Sequence, residues 1–260
     1  MSLYKETKIN KILQNLPHNA VATTKWLGQY GVSSDLLHRY KQSNWFTTIG
    51  HGAVLRTGDK PSWAGAVYAL QEQLKLPVHI GGKSAIGYQG HAHFLPMGKE
   101  TVTLYCPYRT DIPKWFKDYD WQVNLKIKAI SLFSAMVGKN LKKMDINGFH
   151  LSISPLERAI IEILADLPVN QSLDEALKIM ETLNTLNPKV LQTLLEKCES
   201  KKVKRVFLLL AEKTNHQWFQ RLATEKIDIG SGNRVLYKGG TLNKKYKVTV
   251  PRNWAVEEGF

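Results

Sequence analysis

The residues with the most evident chemical potential lie between His79 and His93. Gly81-Gly82-Lys83-Ser84 has the form of the end of a phosphate-binding loop, in which backbone N–H groups cradle a phosphate beside a lysine. Such a loop needs a further glycine five positions before Gly82, where Pro77 stands, so nucleotide hydrolysis by this segment is rejected. The glycines read instead as a turn out of a short strand, Val78-His79-Ile80. Ser84 then caps a helix over Ala85 to Gln89, and Lys83 is left for a phosphate or an acidic partner. His79, His91 and His93 cluster, the last two on one face of a strand, but no carboxylate or thiolate stands at ligand spacing. They read as core or hydrogen-bonding histidines. Cys106 and Cys198 lack zinc or disulfide spacing and read as reduced structural thiols. No Gly-x-Ser-x-Gly elbow or catalytic carboxylate pair is present. No catalytic residue, metal or cofactor is therefore assigned, and the chain reads as a non-enzyme.

Recognition of a polyanion is the chemistry that the composition favours. The chain carries 36 Lys plus Arg against 22 Asp plus Glu, a net charge of +14, which suits nucleic acid or an acidic protein surface. A helix beginning at Ser33 or Ser34 turns Leu36, Leu37 and Tyr40 inward and Ser34, His38, Arg39, Lys41 and Gln42 outward. Short side chains at its start and longer ones further on suit a helix laid in the major groove. Thr23, Thr24 and Lys25 on the preceding helix, Ser33 at the cap, His51 in a Gly50-His51-Gly52 turn and Arg56 complete the candidate DNA-binding set.

Those side chains need a scaffold. Ile9, Ile12, Leu13 and Leu16 predict an amphipathic helix from Tyr4 to Leu16, closed by Pro17. A second helix is expected over Ala20 to Tyr30, broken at Gly31, and strands at 45–49 and 53–56 form a hairpin. Helix, helix, helix and hairpin predict a winged helix-turn-helix, and residues 1–95 read as a DNA-binding domain with a connecting helix.

Residues 96–260 read as a second, larger domain. Period-two runs at 102–104, 123–129 and 149–153 predict half-buried strands of an antiparallel sheet with one wet face. Ser154 with Glu157, and Ser172 with Glu175, then read as capping boxes opening helices, and Asn187-Pro188 starts another. The helix Lys201 to Lys213 has one apolar side, while Lys201, Lys202, Lys204 and Arg205 give it a cationic one. With Lys244 and Lys245 on a terminal hairpin these form either a solvated face or a surface for an acidic protein or bent DNA. The fold class is α+β: a winged helix-turn-helix domain, then a mixed domain with an antiparallel sheet and a C-terminal helical region. No apolar run approaches the ~20 residues of a membrane span, and the N-terminus lacks a secretory pattern, so a cytoplasmic protein is expected.

Thr23 to Val54, TTKWLGQYGVSSDLLHRYKQSNWFTTIGHGAV, resembles the N-terminal winged helix of the AbiEi family, antitoxins of type IV toxin–antitoxin abortive-infection systems. Trp63 to Leu95, WAGAVYALQEQLKLPVHIGGKSAIGYQGHAHFL, is similar to the block that follows it there. The resemblance implies an autorepressor that binds double-stranded DNA of its own promoter, at inverted repeats, and counteracts an AbiEii-like nucleotidyltransferase toxin. His51 departs from the family, which often carries Arg or Lys at the wing tip, and an imidazole is a weaker phosphate ligand near neutral pH. Two other readings stand beside this one: a nucleic-acid-processing enzyme with a dispersed active site, and a stand-alone winged-helix regulator.

Overall fold

A computed structural model of the 260-residue chain describes residues 7–91 and 98–256. Helix α1 (Lys8–Asn15) is capped by Thr7, whose hydroxyl accepts from the Asn10 N–H, and it buries Ile12. Its expected start at Tyr4 lies outside the described residues. The single helix expected over Ala20 to Tyr30 is divided. Ala22–Thr23 forms a short strand, β1, and α2 (Thr24–Gln29) follows, with Thr23 as its cap. Pairing across the sheet, Ala22 with Val54 and Thr23 with Ala53, holds these residues extended against their helical periodicity.

Helix α3 (Ser34–Gln42) starts as expected, with Ser33 accepting from the Leu36 N–H and Asp35 in the first turn. Strands β2 (Phe46–Gly50) and β3 (Ala53–Arg56) make the hairpin, in a sheet ordered β1-β3-β2. Its turn relies on Gly52, at φ +85°.

Helix α4 (Trp63–Tyr68) runs into a π-helical turn, Ala69–Gln73. A Cβ on Gly65 would stand 2.1 Å from the Asn19 carbonyl, so only glycine permits this approach. Two buried glutamines then act as backbone surrogates. Gln73 accepts from the Thr23 N–H and donates to the Val21 carbonyl. Gln71 donates to the Val78 carbonyl and exchanges bonds with both backbone groups of Ser152.

The chain continues through β4 (His79–Ile80), α5 (Gly82–Ile86), β5 (Thr101–Cys106), α6 (Lys114–Asp118), β6 (Asn124–Ala129), β7 (Lys142–Ile146) and β8 (Phe149–Ile153). The five-stranded sheet is ordered β6-β5-β4-β8-β7. It is mixed, not purely antiparallel: β5 and β6 run parallel, joined by a crossover through α6, and β5 is buried from Val102 to Cys106, not half-buried. Between β7 and β8, Asn147 and Gly148 take φ +53° and +81°, which suits an Asn-Gly hairpin turn.

Helices α7 (Leu156–Ala165), α8 (Leu173–Thr182), α9 (Pro188–Lys197) and α10 (Lys201–Thr214) follow, then hairpin β9 (Thr241–Asn243) and β10 (Val248–Val250) and helix α11 (Arg252–Val256). Ser172, Asn187 and Ser200 cap α8, α9 and α10. The capping box expected at Ser154 does not form. Pro155 occupies the cap, the Ser154 hydroxyl turns to Glu162, and Glu157 accepts from the Asn187 N–H.

Contacts divide the chain into two units. One comprises Met1–His79, Pro96–Ala129 and Lys143–Ile153, and the other Ile80–Leu95, Ile130–Lys142 and Ser154–Phe260. The first therefore joins the N-terminal helices and hairpin to strands from beyond residue 96. Tyr68 packs on Phe149 with ring centroids 5.5 Å apart.

Candidate nucleic-acid interface

Amphipathy gives α3 two distinct sides. Leu37 is buried and Leu36 and Tyr40 half-buried, Tyr40 lying 6.4 Å from the Phe46 ring. On the other side Ser34, His38, Arg39 and Gln42 are exposed and Lys41 is half-exposed. Thr24 and Lys25 are exposed at the start of α2, and His51 at the hairpin turn. The Thr24 N–H donates to the Gly52 carbonyl at 2.9 Å, which brings the start of α2 beside that turn. No hydrogen bond or ion pair among the described residues engages the side chains of Lys25, His38, Arg39, Lys41 or Gln42. Cations left free in this way are what a phosphate backbone neutralises. Trp45, 43% exposed, and Thr47 and Thr48 on β2 are open to solvent as well, a feature that the hairpin pattern of this run does not mark.

Three candidates are committed elsewhere, wholly or in part. Thr23 is 2% exposed and spends its hydroxyl on the Trp26 N–H. Ser33 is exposed, but its hydroxyl caps α3. Arg56 turns its guanidinium onto α1, donating from Nη2 to the Leu13 and Leu16 carbonyls at 2.8 Å each, with Nη1 against the His18 ring. A planar fork suits the free carbonyls at a helix end, so half-exposed Arg56 closes α1.

Much of the cationic side of α10 is drawn inward. Lys204 and Arg205 are 3% and 4% exposed. Arg205 donates from Nε to the Ile229 carbonyl and from Nη1 to the Lys247 carbonyl, both at 2.7 Å. Lys202 donates to the Ala165 and Leu167 carbonyls, where α7 ends, and Lys204 reaches the Glu196 carbonyl at 3.4 Å. Burial holds both ammonium groups below the ordinary lysine value. Lys201 is paired with Asp228, and Lys245 with Glu212. Lys244 alone of this predicted set is exposed with no hydrogen bond or ion pair among the described residues. Carbonyls from distant segments thus claim the head groups of Lys202, Lys204 and Arg205, whereas Lys201, Lys244 and Lys245 remain exposed.

The glycine-lysine loop already holds an anion of its own. Glu162, fully buried, accepts from the Gly82 N–H at 3.0 Å, the Ser154 hydroxyl at 2.9 Å and Arg158 Nε at 2.8 Å. Lys83 pairs with Glu175. Ser84 lies inside α5, whose cap is Gly81, so its expected capping role is replaced by burial. His79 is buried and stacked 6.0 Å from Tyr105, and His91 ends a π-helical turn, Gly87–His91, where a strand was expected. His93 lies outside the described residues. Both cysteines are buried, and burial pushes their thiols up.

The comparisons give the family of this mixed α+β chain. Residues 5–97 match the family described as transcriptional regulator, AbiEi antitoxin N-terminal domain, and residues 99–251 that described as transcriptional regulator, AbiEi antitoxin, type IV TA system. The chain belongs to the AbiEi family of transcriptional regulators and antitoxins. In fold it is similar to the crystal structure of the RV2827C protein from Mycobacterium tuberculosis, with a TM-score of 0.57 and 14% identity over 92% of this chain and 88% of that one. No curated protein matches it. Among the described residues no helix is long and apolar enough to cross a membrane.

Proposed function

We propose that the protein is a cytoplasmic transcriptional autorepressor and the antitoxin of a type IV system, counteracting a nucleotidyltransferase-like toxin with no chemistry of its own. Residues 1–95 act as a winged-helix reader of its own promoter and residues 96–260 as the antitoxin part. The observation that carries the reading is a contrast between cations. Those of α10 and Arg56 are tied to carbonyls and carboxylates, whereas Lys25, Arg39 and Lys41 on α2 and α3 are left free. Inverted repeats require two copies on the DNA, by dimerisation or cooperative binding.

The test is a titration of the full chain against DNA from upstream of its own gene, with competitor DNA and several salt concentrations. Arg39→Ala should weaken specific binding by about 1–3 kcal/mol, the worth of a base contact, whereas Lys25→Ala weakens every sequence alike. An unchanged specificity ratio in Arg39→Ala would remove α3 as the reader. Unselective binding by the parent would remove the repressor reading itself. Co-expression with a growth-arresting nucleotidyltransferase toxin of a type IV system tests the antitoxin half, which predicts that growth is restored.

A further inference from the structure

β6 is the end strand of the five-stranded sheet, with β5 as its one strand neighbour. The Asn124 N–H donates to the Glu100 carbonyl at 2.7 Å, so residue 124 and, by alternation, 126 and 128 turn their backbone groups toward β5. Leu125 and Ile127 therefore turn N–H and C=O outward, and no hydrogen bond among the described residues reaches them. An open edge of this kind is a template for another strand.

The two faces of β6 state what that strand must be. On one, half-exposed Val123, Leu125 and Ile127 line a groove of about 330 Å³ with Tyr119 and Trp121. Trp121 is held there by its Nε1, which donates to the Phe116 carbonyl at 2.8 Å. Lys117 also lines the groove, and Asp120 is turned to the Gln122 backbone and amide. On the other face stand Asn124, exposed Lys126, and Lys128 over the Tyr105 ring at 5.7 Å.

We propose that β6 is a docking edge for an extended segment of an acidic protein in which apolar residues alternate with Asp or Glu. Its apolar side chains enter the groove while its carboxylates lie beside Lys126 and Lys128, and main-chain bonds to Leu125 and Ile127 supply affinity. A second copy of this chain would instead bring Lys126 and Lys128 of one edge beside those of the other, on a molecule already carrying +14.

The full-length protein is titrated, by fluorescence anisotropy, with a labelled peptide of alternating valine and glutamate and with its valine–lysine counterpart. Leu125→Pro deletes one outward N–H and leaves the bonds to β5, and Lys126→Glu reverses the charge without touching the backbone. The acidic peptide should bind the parent and bind both variants at least about tenfold more weakly, at unchanged circular dichroism. Absence of binding, equal binding of the lysine peptide, or full affinity retained by either variant overturns the proposal. A parent dimer that Leu125→Pro dissociates also overturns it, in favour of a second copy as the occupant.

Discussion

Arg39 and Arg205 carry the same guanidinium on helices of similar pattern, and only their surroundings separate a candidate ligand contact from a structural clamp. Arg205 fills two carbonyls from different segments, Ile229 and Lys247. Arg205→Ala would leave the half-buried Ile229 carbonyl without this donor, while Lys247 keeps the Arg234 N–H, and should lower stability by about 1–2 kcal/mol in urea unfolding while DNA affinity stays at the parent value. Arg205→Lys should restore only part of that loss, because an ammonium cannot span both acceptors as a fork does. A fall in DNA affinity matching that of Arg39→Ala would return α10 to the interface.

At the scale of elements, the hairpin is set by a contact that only glycine allows. A Cβ on Gly50 of β2 would lie 2.8 Å from the Trp115 Cβ on α6, and Trp115 is 5% exposed, with little room to yield. Gly50→Ala should cost about 1–3 kcal/mol through overpacking, read as a lowered Tm. The π-helical turn Ala69–Gln73 is tied to β7 by a titratable contact. Hydrogen bonding from Lys143, then from Lys75, holds Glu72 below its ordinary 4.5. The folded state therefore favours the ionised form, and the stabilisation is complete above that ordinary value and lost as pH falls through the lower folded one. Glu72→Gln should unfold at a lower denaturant midpoint than the parent at neutral pH, and the two curves should converge in acid. A gap that persists in acid would assign the effect to packing.

On the scale of the whole molecule, the N-terminal helices share their unit with strands from beyond residue 96. Gln71 bonds both backbone groups of Ser152, Tyr68 packs on Phe149, and Gly50 sits against Trp115. A fragment of residues 1–95 would expose all three contacts. It should melt well below the full chain and bind a hydrophobic dye, whereas a fragment ending after β8 should restore the transition. A cooperative, dye-silent transition in the short fragment would establish it as self-sufficient.

Local chemistry was legible because its partners are neighbours in the chain. Ser33, Ser172 and Asn187 cap helices through N–H groups two or three residues away, and the inward and outward sides of α3 follow from its helical period. The exposed candidates of α2, α3 and the hairpin turn were found on that basis. Distant partners were not legible. Arg56 is claimed by carbonyls 40 and 43 residues away, Arg205 by carbonyls 24 and 42 away, and Gly82 by a carboxylate 80 away. The parallel pairing of β5 with β6 likewise depends on a crossover, because a period-two pattern records which residues are half-buried and not which way the neighbouring strand runs. Sequence alone thus determined the local elements and the excess of positive charge. Tertiary structure decided which charges remain free, since a cation is released or consumed by whatever backbone the fold brings to it.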